Sequence, residues 1–223
     1  MRGPIGAGAD IAMSTARVEA FSDGVFAIAI TLLVLGLRPP GAGRGLARDL
    51  AQQWPSYAAY VVSFGTIGII WMNHNTLFGH LRRLDRPLVV ANLLLLMVVA
   101  FIPFPTELLA SYVRTGGVDS RVAAAVYGAT MSVMGVVFTV IWWRVSNREH
   151  LLAEGTTTHH ARLSLRRSLK GPIVYLAATA LSLASAPAAL LGYAAVALYF
   201  ALPGRMVAPA TDRPEHPRPR AAS

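Results

Sequence analysis

The stretch GPIVYLAATALSLASAPAALLGYAAVALYFALPG, Gly171 to Gly204, decides how this chain is built. It runs for 34 residues without a charged side chain. At about 1.5 Å per residue a single helix of that length would reach about 50 Å, well beyond a hydrocarbon core of about 30 Å. Ser185-Ala186-Pro187 lies near the middle and supplies a break. The stretch therefore reads as two short helices, Pro172–Ala184 and Ala188–Leu202, joined by a tight turn. Pro172 suits a first helical turn.

Outward from there, four more uncharged stretches precede it: Gly24–Leu37, Leu50–Leu81, Pro87–Thr106 and Val122–Trp143. With the divided fifth stretch they make six spans, an all-α integral membrane protein with both termini on one side. Basic residues test the arrangement. Fifteen fall on the side of the termini and five on the other: Arg38, Arg44, Arg48, Arg114 and Arg121. That bias places both termini in the cytoplasm. Residues 1–15 are expected to be a flexible cytoplasmic tail, 16–204 the six-helix domain, and 205–223 a disordered basic, Pro-rich cytoplasmic tail.

Composition narrows the partners. Hydrophobic residues make up 54% of the 223 residues and charged ones only 14%, with a mean hydropathy of +0.49; soluble domains carry about 25% charged residues. The formal charge of +9 comes from basic residues that sit between the long uncharged stretches, so it reads as an orientation signal and not as a nucleic-acid footprint. The bilayer is the expected partner, with neither nucleic acid nor a soluble substrate. There is no cysteine, which excludes disulfides, thiolate metal sites and cysteine nucleophiles.

The first span is the unusual one. Its uncharged part, 14 residues, covers only about 21 Å, so the helix is expected to extend back to Ala16. That brings Arg17, Glu19 and Asp23 into or beside the membrane, either as interfacial anchors or as functional groups. Ile28, Thr31, Leu32 and Leu35 fall at i, i+3, i+4 and i+7, one helical stripe. Thr31 is the only polar side chain between Asp23 and Arg38. A stripe of this kind packs on lipid or neighbours, or lines a passage.

Arg17-Val-Glu-Ala-Phe21-Ser22-Asp23-Gly-Val-Phe-Ala-Ile28-Ala-Ile-Thr31-Leu-Leu-Val-Leu35 closely resembles the first-helix signature of the transmembrane protein 175 family of potassium channels. The likeness continues in Trp71-Met-Asn-His74-Asn75-Thr-Leu-Phe78, similar to the family's Trp-x-x-His-His-x-Leu-Phe. It returns in Phe101-Ile-Pro103-Phe104-Pro105-Thr106, similar to its Pro-Phe-Pro element. Asn75 stands where the family often has a second His. Asn cannot be protonated, so pH-linked behaviour resting on a His pair does not carry over.

The resemblance implies a single-repeat prokaryotic member assembled as a homotetramer in the plasma membrane, with four first helices lining a central pore. It implies passive K+ conduction and no enzyme activity or cofactor beyond the permeant ion. Ile28 and Leu35 would then form apolar rings that resist wetting, and Thr31 between them would offer four hydroxyls to a partly dehydrated ion, with Leu32 on the same stripe. Arg17, Phe21, Ser22, Asp23, Trp71, His74 and Asn75 would form a polar network fixing the tilt and rotation of the first helix. Two readings of another class remain. A secondary transporter would show paired repeats and ionisable groups at mid-span, and a non-conducting scaffold would pass no ions. No His-Glu-x-x-His or Gly-x-Ser-x-Gly pattern suggests an enzyme.

Three outlying features complete the reading. Pro103 and Pro105 are expected to end the third span at the outer side, leaving Glu107 near the entrance. Arg162, Arg166 and Arg167 share a helical face in the long Arg144–Lys170 connection and suit anionic headgroups. His150, His159 and His160 lack a third ligand at fixed spacing for a metal site.

Overall fold

A computed structural model describes residues 14–41, 45–153, 158–182 and 184–201. Of the tails expected at 1–15 and 205–223, residues 1–13 and 205–223 lie outside the described residues, while Ser14 caps the first helix and Thr15 opens it; the side chains of His159, His160 and Arg167 also lie outside them.

The described chain is helical, its β structure being a single antiparallel bridge between Leu81 and Leu152. The first helix, α1, spans Thr15–Leu32 and tightens into a 3₁₀ turn at Leu33–Gly36. It starts at Thr15 because Ser14 is extended and its side chain accepts from the Arg17 N–H. A short helix α2, Leu46–Gln52, leads into α3, Trp54–Gly79. Next come α4, Arg86–Phe101, and α5, Pro103–Tyr112. The long α6, Gly117–Ser146, precedes α7, Thr158–Ser168. Last are α8, Lys170–Leu181, and α9, Ala186–Ala201.

Among the described residues, four helical segments are long and apolar enough to cross a membrane: Thr15–Gly36, Trp54–Gly79, Arg86–Tyr112 and Gly117–Ser146. They alternate in direction, as the contacts at their ends show. At one end Thr15 donates to the Arg82 carbonyl, and Arg144 at the end of α6 meets Asp85 at the start of α4. At the other end Arg38, after α1, meets Glu107 in α5, and Arg114 donates to the Gln52 carbonyl before α3. Gly116 and Gly117 make the turn into α6 with φ of 71° and 66°, a region that side chains with a Cβ rarely adopt.

The fifth uncharged stretch is two helices packed on each other, broken near Ser182–Ser185. They are short, 12 and 16 residues.

The prolines of the third span do not end it. Ile102, before Pro103, keeps helical angles (φ −52°, ψ −38°), and α5 carries on for another ten residues. Proline lacks only an N–H and fits a first turn, where that N–H has no helical partner in any case. Pro103 and Pro105 both occupy the opening turn of α5, so the chain restarts its helix in place. The Val99 carbonyl, deprived of a donor at 103, takes the Ile102 N–H at 3.1 Å instead.

The core gathers around α6, which packs on α4, α5, α7, α8 and α9. Tyr127, Met131, Ile141 and Trp142 are fully buried in it. Close approach is possible because Gly128 has no side chain. An added Cβ would lie 2.8 Å from Thr179 Cβ and would also meet Thr179 Oγ1 and the Tyr193 hydroxyl. That hydroxyl donates to the Ala124 carbonyl at 2.8 Å, pinning α9 to α6. Gly128→Ala is expected to destabilise the fold by about 1–3 kcal/mol, the usual cost of overpacking, read as a lowered thermal midpoint in detergent. Gly24→Ala, where a Cβ meets nothing within 4 Å, should cost far less.

The end of the bundle that carries the α3–α4 turn is tied to the chain after α6. The Arg82 N–H donates to the Leu151 carbonyl and the Ala153 N–H to the His80 carbonyl, both at 2.9 Å. Asp85 caps α4 by accepting from the Leu88 N–H and receives two hydrogen bonds from Arg144, at 3.1 and 2.6 Å. The Arg144 guanidinium holds the Asp85 carboxyl below its ordinary range. A depressed carboxylate contributes stability above its unfolded pKa of about 3.9, and that stability is lost as pH falls through the folded value. Thermal midpoints should therefore drop as pH is lowered below about 4. Asp85→Asn keeps a good cap and removes the ion pair; it should cost about 1 kcal/mol at neutral pH and flatten that part of the acid limb.

Candidate functional site

Two faces of α1 carry opposite chemistry. Val18, Ser22, Phe26, Ala29 and Leu33 are buried, a stripe that packs on α3 and α4. Phe21, Gly24, Ala27, Ile28, Thr31, Leu32 and Leu35 are exposed on the single chain. The split follows from helical geometry. Thr31 is nine residues beyond Ser22 and Leu35 nine beyond Phe26, about 900° or half a turn away.

The buried side carries a polar seam. The Ser22 hydroxyl donates to the Val18 carbonyl at 2.8 Å and accepts from Asn92 Nδ2 of α4 at 3.0 Å. That orientation of the Asn92 amide leaves its Oδ1 as the acceptor for His74 of α3, 2.8 Å from Nε2. His74 is therefore protonated on Nε2, and its Nδ1 lone pair has no partner among the described residues. Phe78 stacks on the imidazole at 4.4 Å between centroids and Phe26 tilts against it at 5.3 Å. Three helices thus meet on one ordered chain of donors. At the edge of the same contact the Trp71 indole N–H donates to Asp23 Oδ1 at 2.9 Å.

Of the sequence-derived network, Ser22 and His74 share this seam, and Asp23 and Trp71 form the neighbouring pair. Asn75, Arg17 and Phe21 are exposed and outside both. The link between Ser22 and His74 is Asn92, which the sequence reading did not single out. It could have been found as the only polar side chain between Val89 and Phe104.

On the exposed side, Ile28 and Leu35 are 61% and 69% exposed, bracketing Thr31. The Thr31 hydroxyl spends its proton on the Ile28 carbonyl at 2.8 Å, so its lone pairs remain free to accept or to ligate. Beyond the end of α1, Arg38 Nη2 lies 2.6 Å from Glu107 Oε1, with Arg38 largely exposed and Glu107 half-buried. Glu107 is thus paired with Arg38.

The family described as endosomal/lysosomal potassium channel TMEM175 matches residues 17–103, the span that holds α1 from Arg17 on, the seam and Trp71. A protein of Streptomyces collinus named a potassium channel is 47% identical over 82% of this chain and 90% of its own length. One of Chamaesiphon minutus with the same description is 41% identical over 84% of this chain and 94% of its own.

The chain belongs to the TMEM175 family.

The fold agrees. The crystal structure of a lysosomal potassium-selective channel TMEM175 homolog from Chamaesiphon minutus superposes with a TM-score of 0.76 at 39% identity, over 84% of this chain and 96% of that one. A variant of the potassium channel MtTMEM175, at 20% identity over 89% of this chain and 96% of that one, shares the fold at a TM-score of 0.60. All the seam residues, from Ser22 to Asn92, lie within the stretch that matches the TMEM175 family.

Proposed function

We propose that this chain is a potassium-permeable cation channel of the plasma membrane, a homotetramer of six-helix subunits with cytoplasmic termini, in which α1 lines a central pore. It is an ion channel and not an enzyme, as its family indicates. One observation carries the reading. Of the four long helices α1 is the least covered by its own chain: 28% of its most apolar 18 residues are buried, against 33% for each of the next two spans and 50% for α6. The seam fixes which face is left over, and that face holds Ile28, Thr31, Leu32 and Leu35.

Around a fourfold axis Ile28 and Leu35 would make two apolar collars with a ring of Thr31 oxygens between them. A collar of bulky alkyl side chains resists wetting. Four oxygens replace only part of a hydration shell, which favours the larger, weakly hydrated K+ over Na+ to a moderate degree. The seam on the opposite face is a positioning device. Interhelical hydrogen bonds in a membrane are worth about 0.6–2 kcal/mol each, enough in series to hold the rotation of α1.

Purified protein in vesicles with opposed K+ and Na+ gradients tests the proposal. K+ flux from a particle of four chains is expected. Absence of flux from folded tetramers would leave a scaffold, and a monomer would remove the pore altogether.

A further inference from the structure

An apolar groove opens on the flank of the bundle where α3, α6, α8 and α9 meet, and no described residue of α1 lines it. Ile70, Phe138, Ala197 and Phe200 supply its walls. Its polar groups are few. Asn73 Nδ2 donates to the Ile69 carbonyl and Ser168 Oγ to the Leu165 carbonyl, each at 2.9 Å, so the Asn73 and Ser168 oxygens remain as acceptors. Along α3 the lining runs from Thr66 to Asn73, about 10 Å at the helical rise.

The groove ends at Ser168 and Gly171, where the polar α7 gives way to α8, which is uncharged from Gly171 on. The surface turns cationic there. Ala161, Ser164 and Leu165 face inward on α7, while Arg162, Arg166 and Lys170 are exposed at steps of four, one row along the outside. No acidic residue occurs from 158 to 201 to balance them. Leu163 and Leu169, also exposed, flank the row. An apolar slot with a row of exposed cations beside its membrane-interface end suits one chemistry: an acyl chain joined to an anionic headgroup.

We propose that this groove binds an anionic phospholipid, one acyl chain lying between α3 and α9 and the phosphate held by Arg166 and Lys170. The inference rests on reading the chain as a membrane protein with α7 at the cytoplasmic interface, and it does not require ion conduction. Charge selects the occupant: a zwitterionic lipid would fit the slot but gain little from the cationic row.

Native mass spectrometry of the full-length protein in detergent, titrated with dioleoyl phosphatidylglycerol and dioleoyl phosphatidylcholine, tests it. Phosphatidylglycerol should bind at least tenfold more tightly. The double substitution Arg166→Gln, Lys170→Gln should erase that preference while leaving the thermal midpoint in detergent unchanged. Ala197→Phe, which fills the slot, should lower phosphatidylglycerol occupancy about tenfold in a protein that still folds. Equal affinity for the two lipids overturns the proposal. Undiminished binding in Ala197→Phe does the same, since the acyl chain would then lie elsewhere. Displacement by millimolar inorganic phosphate would show a headgroup site with no acyl slot. A change of oligomeric mass in Ala197→Phe would show that another copy of the chain covers the groove. Vesicle flux is a separate readout, so failure here is distinguishable from failure of the channel reading.

Discussion

Ile28→Asn is expected to raise K+ current through the reconstituted protein by about tenfold, the effect of removing about 1.4 kcal/mol from a barrier. Ile28 sits on the uncovered face of α1 at 61% exposure, so a polar replacement meets no packed neighbour within the chain. Its fold should survive, with a thermal midpoint close to that of the parent. In a tetramer the change converts an alkyl collar into a ring of four amides, which water wets and ions can follow. Selectivity should fall as well, because a wet passage no longer demands dehydration. Unchanged current in a folded tetramer would place the narrow point elsewhere along the stripe, with Leu35 the next residue to substitute.

The second large effect is on discrimination. Thr31→Val keeps the shape of the side chain and removes its oxygen. The lost hydrogen bond runs to the Ile28 carbonyl within the same helix, so little stability goes with it. The permeability ratio should move toward that of free diffusion. Each tenfold lost shifts the reversal potential under opposed K+ and Na+ by about 59 mV for a singly charged ion. A reversal potential that stays put would remove Thr31 from the filter and assign selectivity to backbone carbonyls or to the pore's width.

The sequence disclosed its helices where composition and geometry agreed. The 34 uncharged residues from Gly171 could not be one span, and they are two helices. The 14 residues from Gly24 could not be a whole span, and α1 indeed reaches back to Thr15. Pro103 and Pro105 misled because a proline stops a helix only when a preceding turn needs its N–H. Two prolines inside a fresh first turn cost little here, because the Val99 carbonyl left without a donor at 103 is taken up by the Ile102 N–H. The short α2 lay in a loop with no apolar periodicity to announce it. Asn92 was hidden for a different reason. A single amide in an apolar helix has no local signature, and only the folded positions of Ser22 and His74 give it two partners. Asn75 adjoins His74 in the chain yet points away, since neighbours on a helix are about 100° apart.

The bundle's two rims are joined by different means. The α3–α4 rim is laced by main-chain hydrogen bonds and a sheltered bidentate pair, whereas α1 leaves the other through a 3₁₀ turn and a bare Arg38–Glu107 contact. Mobile ions screen exposed charges within about 8 Å at physiological strength and leave amide bonds untouched. High salt should accordingly weaken the Arg38–Glu107 contact more than the sheltered Arg144–Asp85 pair, so the α1 exit is the rim whose side-chain tie depends on ionic strength.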